Sequence, residues 1–372
     1  MKVRSLLVSM LCMFALSVSF ASCSDDDDLL DDSGSTVALP QVRAFIMNAG
    51  SYDANNANIA FYAPNGGADF VSDIFQKQNK AKLGDMGQKM IEYNECMYVA
   101  MYGSNYLVKL NAAGVEQARI LFKDDKELSA GIRSIDAEDG YIYASFYGGV
   151  VAKINANTLK VEKKLTGLGH NLEGIAVCNN MLYVADSYKQ VDGKYIYLND
   201  VLVIDLKTFT LKETLTVASN PNVLMEESDK LFLIAWDYSS TAGYVLQMID
   251  PADNNKVTTI GNATYMAAND DVVYLINSLT NWVTYAVNNS FSTYNIKTKT
   301  LNETSFLKNA PEELATTSVS MLQVNDNNGD IYIGTTFFSA SNGNIYRFKK
   351  DGTFVEKFDC GGQNPNSAVF FN

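Results

Sequence analysis

The sequence predicts an all-β protein, a seven-bladed β-propeller of four-stranded antiparallel blades whose ring is closed by the C-terminal strand joining the N-terminal blade. Three observations carry that expectation. Gly131–Leu165 reads as four short strands parted by turns, and the same unit returns at intervals of roughly 40–58 residues. The two ends of the chain hold the complementary parts of one further unit.

Within the best-formed unit the strands are Ile132–Ile135, Tyr141–Phe146, Val150–Ile154 and Lys160–Leu165. The second alternates, with Ile142, Ala144 and Phe146 on one face and Tyr141, Tyr143 and Ser145 on the other, as a sheet with two distinct faces requires. Asp139-Gly140 and Gly148-Gly149 suit type I′ turns because these residues tolerate positive φ, and Asn157-Thr158 marks a further bend.

The second strand tracks the unit along the chain. It recurs as Met97–Ala100, Ile142–Ser145, Leu182–Ala185, Leu231–Ile234, Val273–Ile276 and Ile331–Gly334. The interval excludes helical repeats of about 34 residues. The N-terminal region adds Ala44–Met47, Asn58–Tyr62 and Phe70–Phe75, with no inner strand. The C-terminus adds the orphan Ala368–Phe371, and its lead-in Asn364-Pro365-Asn366 repeats the Asn220-Pro221-Asn222 that precedes a complete blade. The last strand is therefore expected to complete the first blade and remove the exposed edges.

Ahead of the propeller stands a targeting segment. Met1-Lys2-Val3-Arg4 is a basic head and Ser5–Val18 an apolar run too short to span a bilayer comfortably. Phe20-Ala21-Ser22-Cys23 resembles the bacterial lipobox, with Phe where Leu is usual. Residues 1–22 are expected to be a lipoprotein signal peptide, and Cys23 the lipidated first residue of the mature chain. Residues 23–42, with Asp25–Asp28 and Asp31-Asp32, read as a solvated acidic tether, and residues 43–372 as the propeller. The acidic run resembles the export signal that carries Bacteroidetes lipoproteins to the outside of the outer membrane; the alternative is a tether without an address. The expected location is the outer membrane, lipid-anchored and facing outward.

A net charge of −13 with no basic stripe argues against a nucleic-acid partner. The single histidine, His170, restricts acid–base and metal chemistry. Cys96, Cys178 and Cys360 are odd in number and far apart, so they read as small core residues and not as a disulfide framework.

Extra residues concentrate between second and third strands. The longest such stretches are Tyr188–Asp200 and Ser278–Ser290, with shorter ones at Ala49–Ala57, Asp237–Gly243 and Phe337–Asn342. In a propeller these connections share one face with the loops between blades. They and the adjoining strand ends carry Tyr52, Tyr102, Tyr147, Tyr188, Tyr195, Tyr197, Trp236, Tyr238, Trp282, Tyr285, Phe337 and Phe338. Such aromatics offer large contact area with few rotors to freeze, which suits a broad amphipathic ligand. Blade packing and channel lids are the competing roles. His170 belongs to the same face, either at a ligand's rim or simply solvated. Asn325–Asp330 resembles a calcium loop but lacks the later Glu and falls where a hairpin must turn, so it reads as a turn. No nucleophile elbow, phosphate loop or zinc spacing is present in the sequence, and a catalytic triad would have only His170 to use.

The lipobox with its acidic run, Phe45–Ser51 followed by Asn58–Tyr62, and Lys82–Met90 together resemble the YncE-like, surface-layer-type propeller lipoproteins of Bacteroidetes, over essentially the whole mature chain. That family includes BtuG-type proteins that capture cobalamin for a TonB-dependent outer-membrane transporter. The resemblance implies a non-enzymatic surface protein that captures a ligand, cobalamin or another corrinoid first among them, with no cofactor of its own required. A protein-interaction scaffold on the cell surface is the alternative. An enzyme on a quinoprotein-like propeller is disfavoured by the missing catalytic groups. Loop geometry, not residue matching, nominates Tyr52, Tyr102, Tyr147, His170, Tyr188, Trp236, Tyr238, Trp282, Tyr285 and Phe338 as ligand-binding residues, and no metal site is expected.

Overall fold

Turn chemistry and two-residue alternation give strands that, the last and first of the chain apart, pair only with their sequence neighbours, so the chain forms a ring of meanders. The computed structural model describes residues 30–372; the signal segment, Cys23 and Asp25–Asp28 lie outside the described residues. The chain enters through β1 (Arg43–Asn48) and β2 (Asn58–Tyr62). The second blade is β3 (Gly87–Tyr93), β4 (Cys96–Met101), β5 (Tyr106–Leu110) and β6 (Glu116–Leu121). The third is β7 (Ile132–Glu138), β8 (Tyr141–Phe146), β9 (Val150–Asn155) and β10 (Val161–Leu165). The fourth is β11 (Asn171–Cys178), β12 (Met181–Val191), β13 (Lys194–Asp205) and β14 (Thr210–Thr216). The fifth is β15 (Pro221–Glu227), β16 (Lys230–Ala235), β17 (Val245–Asp250) and β18 (Lys256–Asn262). The sixth is β19 (Tyr265–Asn269), β20 (Val272–Thr280), β21 (Val287–Asn295) and β22 (Thr300–Asn302). The seventh is β23 (Val319–Val324), β24 (Ile331–Thr335), β25 (Asn344–Phe348) and β26 (Phe354–Asp359), and β27 (Pro365–Phe371) ends the chain.

β27 pairs antiparallel with β1, setting Val369 opposite Phe45 and Ala368 opposite Ile46, so the first blade is ordered β2-β1-β27. The inner strands β3, β7, β11, β15, β19 and β23 pack on one another in sequence, and β27 packs on both β23 and β3. The ring is closed as the sequence predicts.

The first blade departs from the expectation at its outer edge. Phe70–Phe75 is not a strand: Val71 makes a single bridge to Phe61, and a short helix, α1 (Ile74–Asn79), follows. Two local facts account for this. Asp73 caps the helix, accepting from the Gln76 N–H at 2.9 Å. Ile74 and Phe75 are adjacent and both fully buried, whereas an outer strand would turn one of them to solvent.

Both faces of a middle strand are buried because each blade is sandwiched. Ile142, Ala144 and Phe146 pack toward the second blade with Tyr98 and Leu107, while Tyr143 joins Leu182 and Val184 of the fourth. The turns between first and second strands of the second to sixth blades take two residues with positive φ, as at Asp139 and Gly140 (51° and 82°) and at Asn179 and Asn180 (51° and 61°). Asn325–Asp330 is also a turn, and Asp330 is committed to Arg347 at 2.6 Å. Cys178 and Cys360 are buried, and none of Cys96, Cys178 and Cys360 forms a disulfide.

The meander sends the connections between second and third strands, and those between blades, to one face, here the mouth face. The two longest insertions are not loose loops. They lengthen β12/β13 and β20/β21 into paired hairpins, with Tyr188 opposite Tyr197 and Thr280 opposite Val287. The segment before β1 lies on the opposite, rear face. Residues from 31 onward are docked there, with Asp32 paired to the buried Arg43 at 2.5 Å, Ser33 accepting from Asn111 and Thr36 bonded to Gln78. Residues 31–42 therefore make no part of the mouth.

Candidate functional site: an aromatic mouth over a polar channel

Seven inner strands converge on a central channel of about 850 Å³, lined from each of the seven blades. Its mouth end is set by the second or third residue of six of the inner strands, where Gln88, Arg133, Glu173, Asn222, Ser320 and Asn366 point inward. The most heavily constrained group is Arg133. Its guanidinium lies 4.6 Å from the ring centres of both Tyr102 and Tyr147, pairs with Glu173 at 2.9 Å and donates to Gln88. Burial works against its charge, and Glu173 and Tyr147 more than offset that, so the guanidinium is held firmly protonated. The Tyr147 hydroxyl donates to Glu173 at 2.6 Å. Burial first, and then the Glu173 charge, push that phenol well above its ordinary range.

From this anchor the rings run in two chains. Tyr102 meets Tyr147 at 5.7 Å, Tyr147 meets Tyr188 at 6.0 Å, and Tyr188 meets Tyr195 at 5.4 Å, all edge to face. The second chain links Tyr197 to Tyr238 at 5.3 Å, Tyr238 to Tyr244 at 6.0 Å, and Tyr244 to Trp236 in a stack at 5.6 Å. The β12/β13 hairpin joins them, because alternation puts Tyr188, Tyr195 and Tyr197 on one of its faces.

Trp236 is positioned from its backbone. Asn220, held at a φ of 62°, accepts from the Trp236 N–H at 2.8 Å and donates its side-chain amide to the Trp236 carbonyl at 3.0 Å. The repeat at the C-terminus does the same: Asn364, at a φ of 57°, accepts from Ala49 N–H and donates to the Gly50 carbonyl.

Five of the ten nominated residues are thus brought together: Tyr102, Tyr147, Tyr188, Trp236 and Tyr238. His170 sits apart on the loop between the third and fourth blades, half exposed. Its backbone N–H is held by Asp186 at 3.0 Å and its ring Nδ1 is 3.8 Å from the same carboxylate. Burial raises the Asp186 carboxyl, and the bond from the His170 backbone works against that shift. Tyr52, Trp282, Tyr285 and Phe338 are exposed on their own connections and belong to neither ring chain. Arg133, Glu173 and Tyr244 were not nominated. Their only signal in the sequence is a polar residue near the start of an inner strand, or an aromatic at the start of a third one.

Comparison with known proteins follows the fold. Residues 43–196 match a family described as a domain of unknown function (DUF5074), a stretch that runs from β1 into the β12/β13 hairpin. No curated protein is similar enough to match. Among solved structures, the chain is similar to a quinoprotein alcohol dehydrogenase-like protein of Bacteroides thetaiotaomicron, at 14% identity and a TM-score of 0.65. That likeness covers 89% of this chain and 78% of the other. It is also similar to a hypothetical selenium-binding protein of Sulfolobus tokodaii, at 12% identity and a TM-score of 0.63, covering 90% and 94%. At these identities the likeness concerns the propeller fold, which this chain shares.

Proposed function

We propose that the protein is a non-enzymatic, lipid-anchored capture protein of the outer cell surface. Its mouth holds a broad amphipathic ligand for transfer to a TonB-dependent outer-membrane transporter. A corrinoid such as cobalamin is the first ligand, on the strength of the sequence resemblance. The observation that carries the reading is the pair of ring chains meeting at the β12/β13 hairpin over the Arg133–Glu173 floor. Rings in edge contact are already ordered, so a ligand laid on them loses little further side-chain freedom. The floor is polar but charge-paired, which fixes orientation without demanding a charged ligand. Conversion of the ligand is no part of this proposal, and any loosely held corrinoid cobalt would have only His170 at the rim to meet.

Calorimetry with cyanocobalamin tests the reading. Binding is expected, and Trp236→Ala or Tyr147→Ala should weaken it by ~2–4 kcal/mol, roughly 30- to 1000-fold. The absence of heat and of any melting shift would remove the corrinoid. A second reading, a protein-binding scaffold, is favoured by one observation: the β20/β21 tip exposes Trp282 at 75% and Val283 at 88%. Under it, Trp282→Ala would abolish recovery of a membrane partner in crosslinking on intact cells while leaving small-molecule binding unchanged.

A further inference from the structure

We propose that the channel beneath the aromatic mouth takes neutral carboxamide arms of the captured ligand; this inference rests on the capture reading and specifies the chemistry of the same site. Three uncharged polar side chains lining the channel each hold a buried atom with no hydrogen-bond partner in the protein, Trp236 Nε1, Ser320 Oγ and Asn366 Oδ1; a fourth such atom, Glu138 Oε2, belongs to the carboxyls at the channel's rear end. An indole N–H can only donate, a carboxamide oxygen can only accept, and a hydroxyl does either. The Asn366 assignment is fixed by its own amide nitrogen, which donates to the Gly87 carbonyl at 2.8 Å and the Gln88 carbonyl at 3.3 Å. Exchanging nitrogen and oxygen would set the oxygen against two carbonyls. The Trp236 ring is fixed as well, stacked on Tyr244 and pinned through Asn220.

Buried donors and acceptors of this kind are costly unless a partner meets them. They sit on the first, fifth and seventh blades, so a ligand serving all three carries more than one arm. A carboxylate would satisfy Trp236 and leave Asn366 unmet. It would also enter a channel whose two cations, Lys89 and Arg133, face seven carboxyls. An ammonium would satisfy Asn366 and leave Trp236 unmet. A carboxamide offers both an oxygen and an N–H, and it carries no charge to desolvate.

The test uses the full chain with ¹⁵N-labelled indoles. The chain has two tryptophans, so Trp282→Phe assigns the Trp236 Nε1–H signal. Propionamide, propionate and propylammonium are the probes. Propionamide is expected to shift the Trp236 signal saturably, in the millimolar range natural to so small a molecule, with the two ions leaving it in place. Ser320→Ala should weaken the amide's effect several-fold without altering the melting temperature. Failure of propionamide to move the signal, or equal shifts with propionate or propylammonium, overturns the inference. Cyanocobalamin calorimetry separates the two ideas. A protein that binds cyanocobalamin but ignores propionamide keeps the capture reading and loses this one.

Discussion

At the scale of single residues, two side chains hold parts of the ring that are far apart in sequence. Asn220 places Trp236 through a left-handed backbone, whose carbonyl accepts from the Trp236 N–H, and through its side-chain amide, and the two demands can be tested separately. Asn220→Gly keeps the φ and the backbone bond and loses the side-chain bond to the Trp236 carbonyl, whereas Asn220→Ala loses that bond and adds roughly 1–2 kcal/mol of left-handed strain. The alanine variant should melt below the glycine variant, and both should bind ligand more weakly than the parent. Arg347 is the second case. Fully buried in the seventh blade, it pairs with Asp330 at 2.6 Å and reaches the first blade through the Tyr62 hydroxyl at 3.0 Å and the Pro64 carbonyl at 2.7 Å. Arg347→Met would leave Asp330 buried with only Lys349 nearby, 3.3 Å away. Breaking such a pair costs about 3–5 kcal/mol, so urea denaturation should show a loss of that order. Asp330→Asn, which keeps an acceptor beside the guanidinium, should lose less.

At the scale of elements, the inner strands end toward the rear face in carboxyls. Glu92, Asp136, Glu138, Glu226, Glu227 and Asp326 all line the channel, and burial first of all raises each above its ordinary value. Such a group binds its proton more tightly in the folded chain than in the unfolded one. Stability should therefore rise as pH falls from neutral through the raised values toward the ordinary ones near 4.5 and 3.8. Asp125, Asp271 and Asp351 are lowered instead, first by bonds from Lys164, from Lys297 and from the Thr353 backbone respectively, so their contributions vanish only below that window. Melting temperature is expected to climb on mild acidification and to fall again in stronger acid. Glu226→Gln should raise the melting point at neutral pH and flatten the climb; a melting point that drops steadily from neutral downward would refute this account.

The same scale shows what a reader of the sequence can and cannot see. Strands two and three of every blade are legible, because alternation and two-residue turns are local. The Asn-Pro-Asn lead-in is legible for the same reason, and both copies form the same hydrogen bonds. The outer edge of the first blade is not, since a capped helix and a strand both bury Phe75, and tertiary packing chooses between them. Nor is the Arg133–Glu173 pair, which joins different blades and has no spacing of its own. The aromatics nominated by their loops divide accordingly. Those at strand ends, such as Tyr147 and Trp236, are fixed by the blade, while Tyr52 and Trp282 depend on loop shapes that no repeat dictates.

At the scale of the whole molecule, stability depends on one strand from the far end of the chain. β27 buries Ala368, Val369 and Phe371 to 5% exposure or less, supplies the inner strand of the first blade and touches both neighbouring blades. Burial of each large apolar side chain is worth about 1.5–3 kcal/mol, and a domain's entire net stability is ~5–15 kcal/mol. Deleting Asn366–Asn372 should therefore lower the melting point steeply, with loss of β structure in circular dichroism across all blades. The deletion alone does not distinguish lost closure from lost burial, but a permuted chain does. Phe371 lies opposite Arg43 in the β27–β1 pair, so the two strand ends meet at the rear face, where the second to sixth blades need only a two-residue turn. Moving residues 362–372 to the front of β1, joined by a short Asn-Gly turn, keeps the buried contacts of β27 and removes the chain-end clasp; residues 31–42, whose Asp32 pairs with Arg43, are left out of both the permuted chain and the parent it is compared with. The permuted protein should fold with the same circular dichroism and still bind the parent's ligand. It should also unfold faster than the parent, because the seam of the ring now falls between two whole blades and lacks a shared sheet. An unfolding rate equal to the parent's would show that burial, and not closure, is what β27 provides.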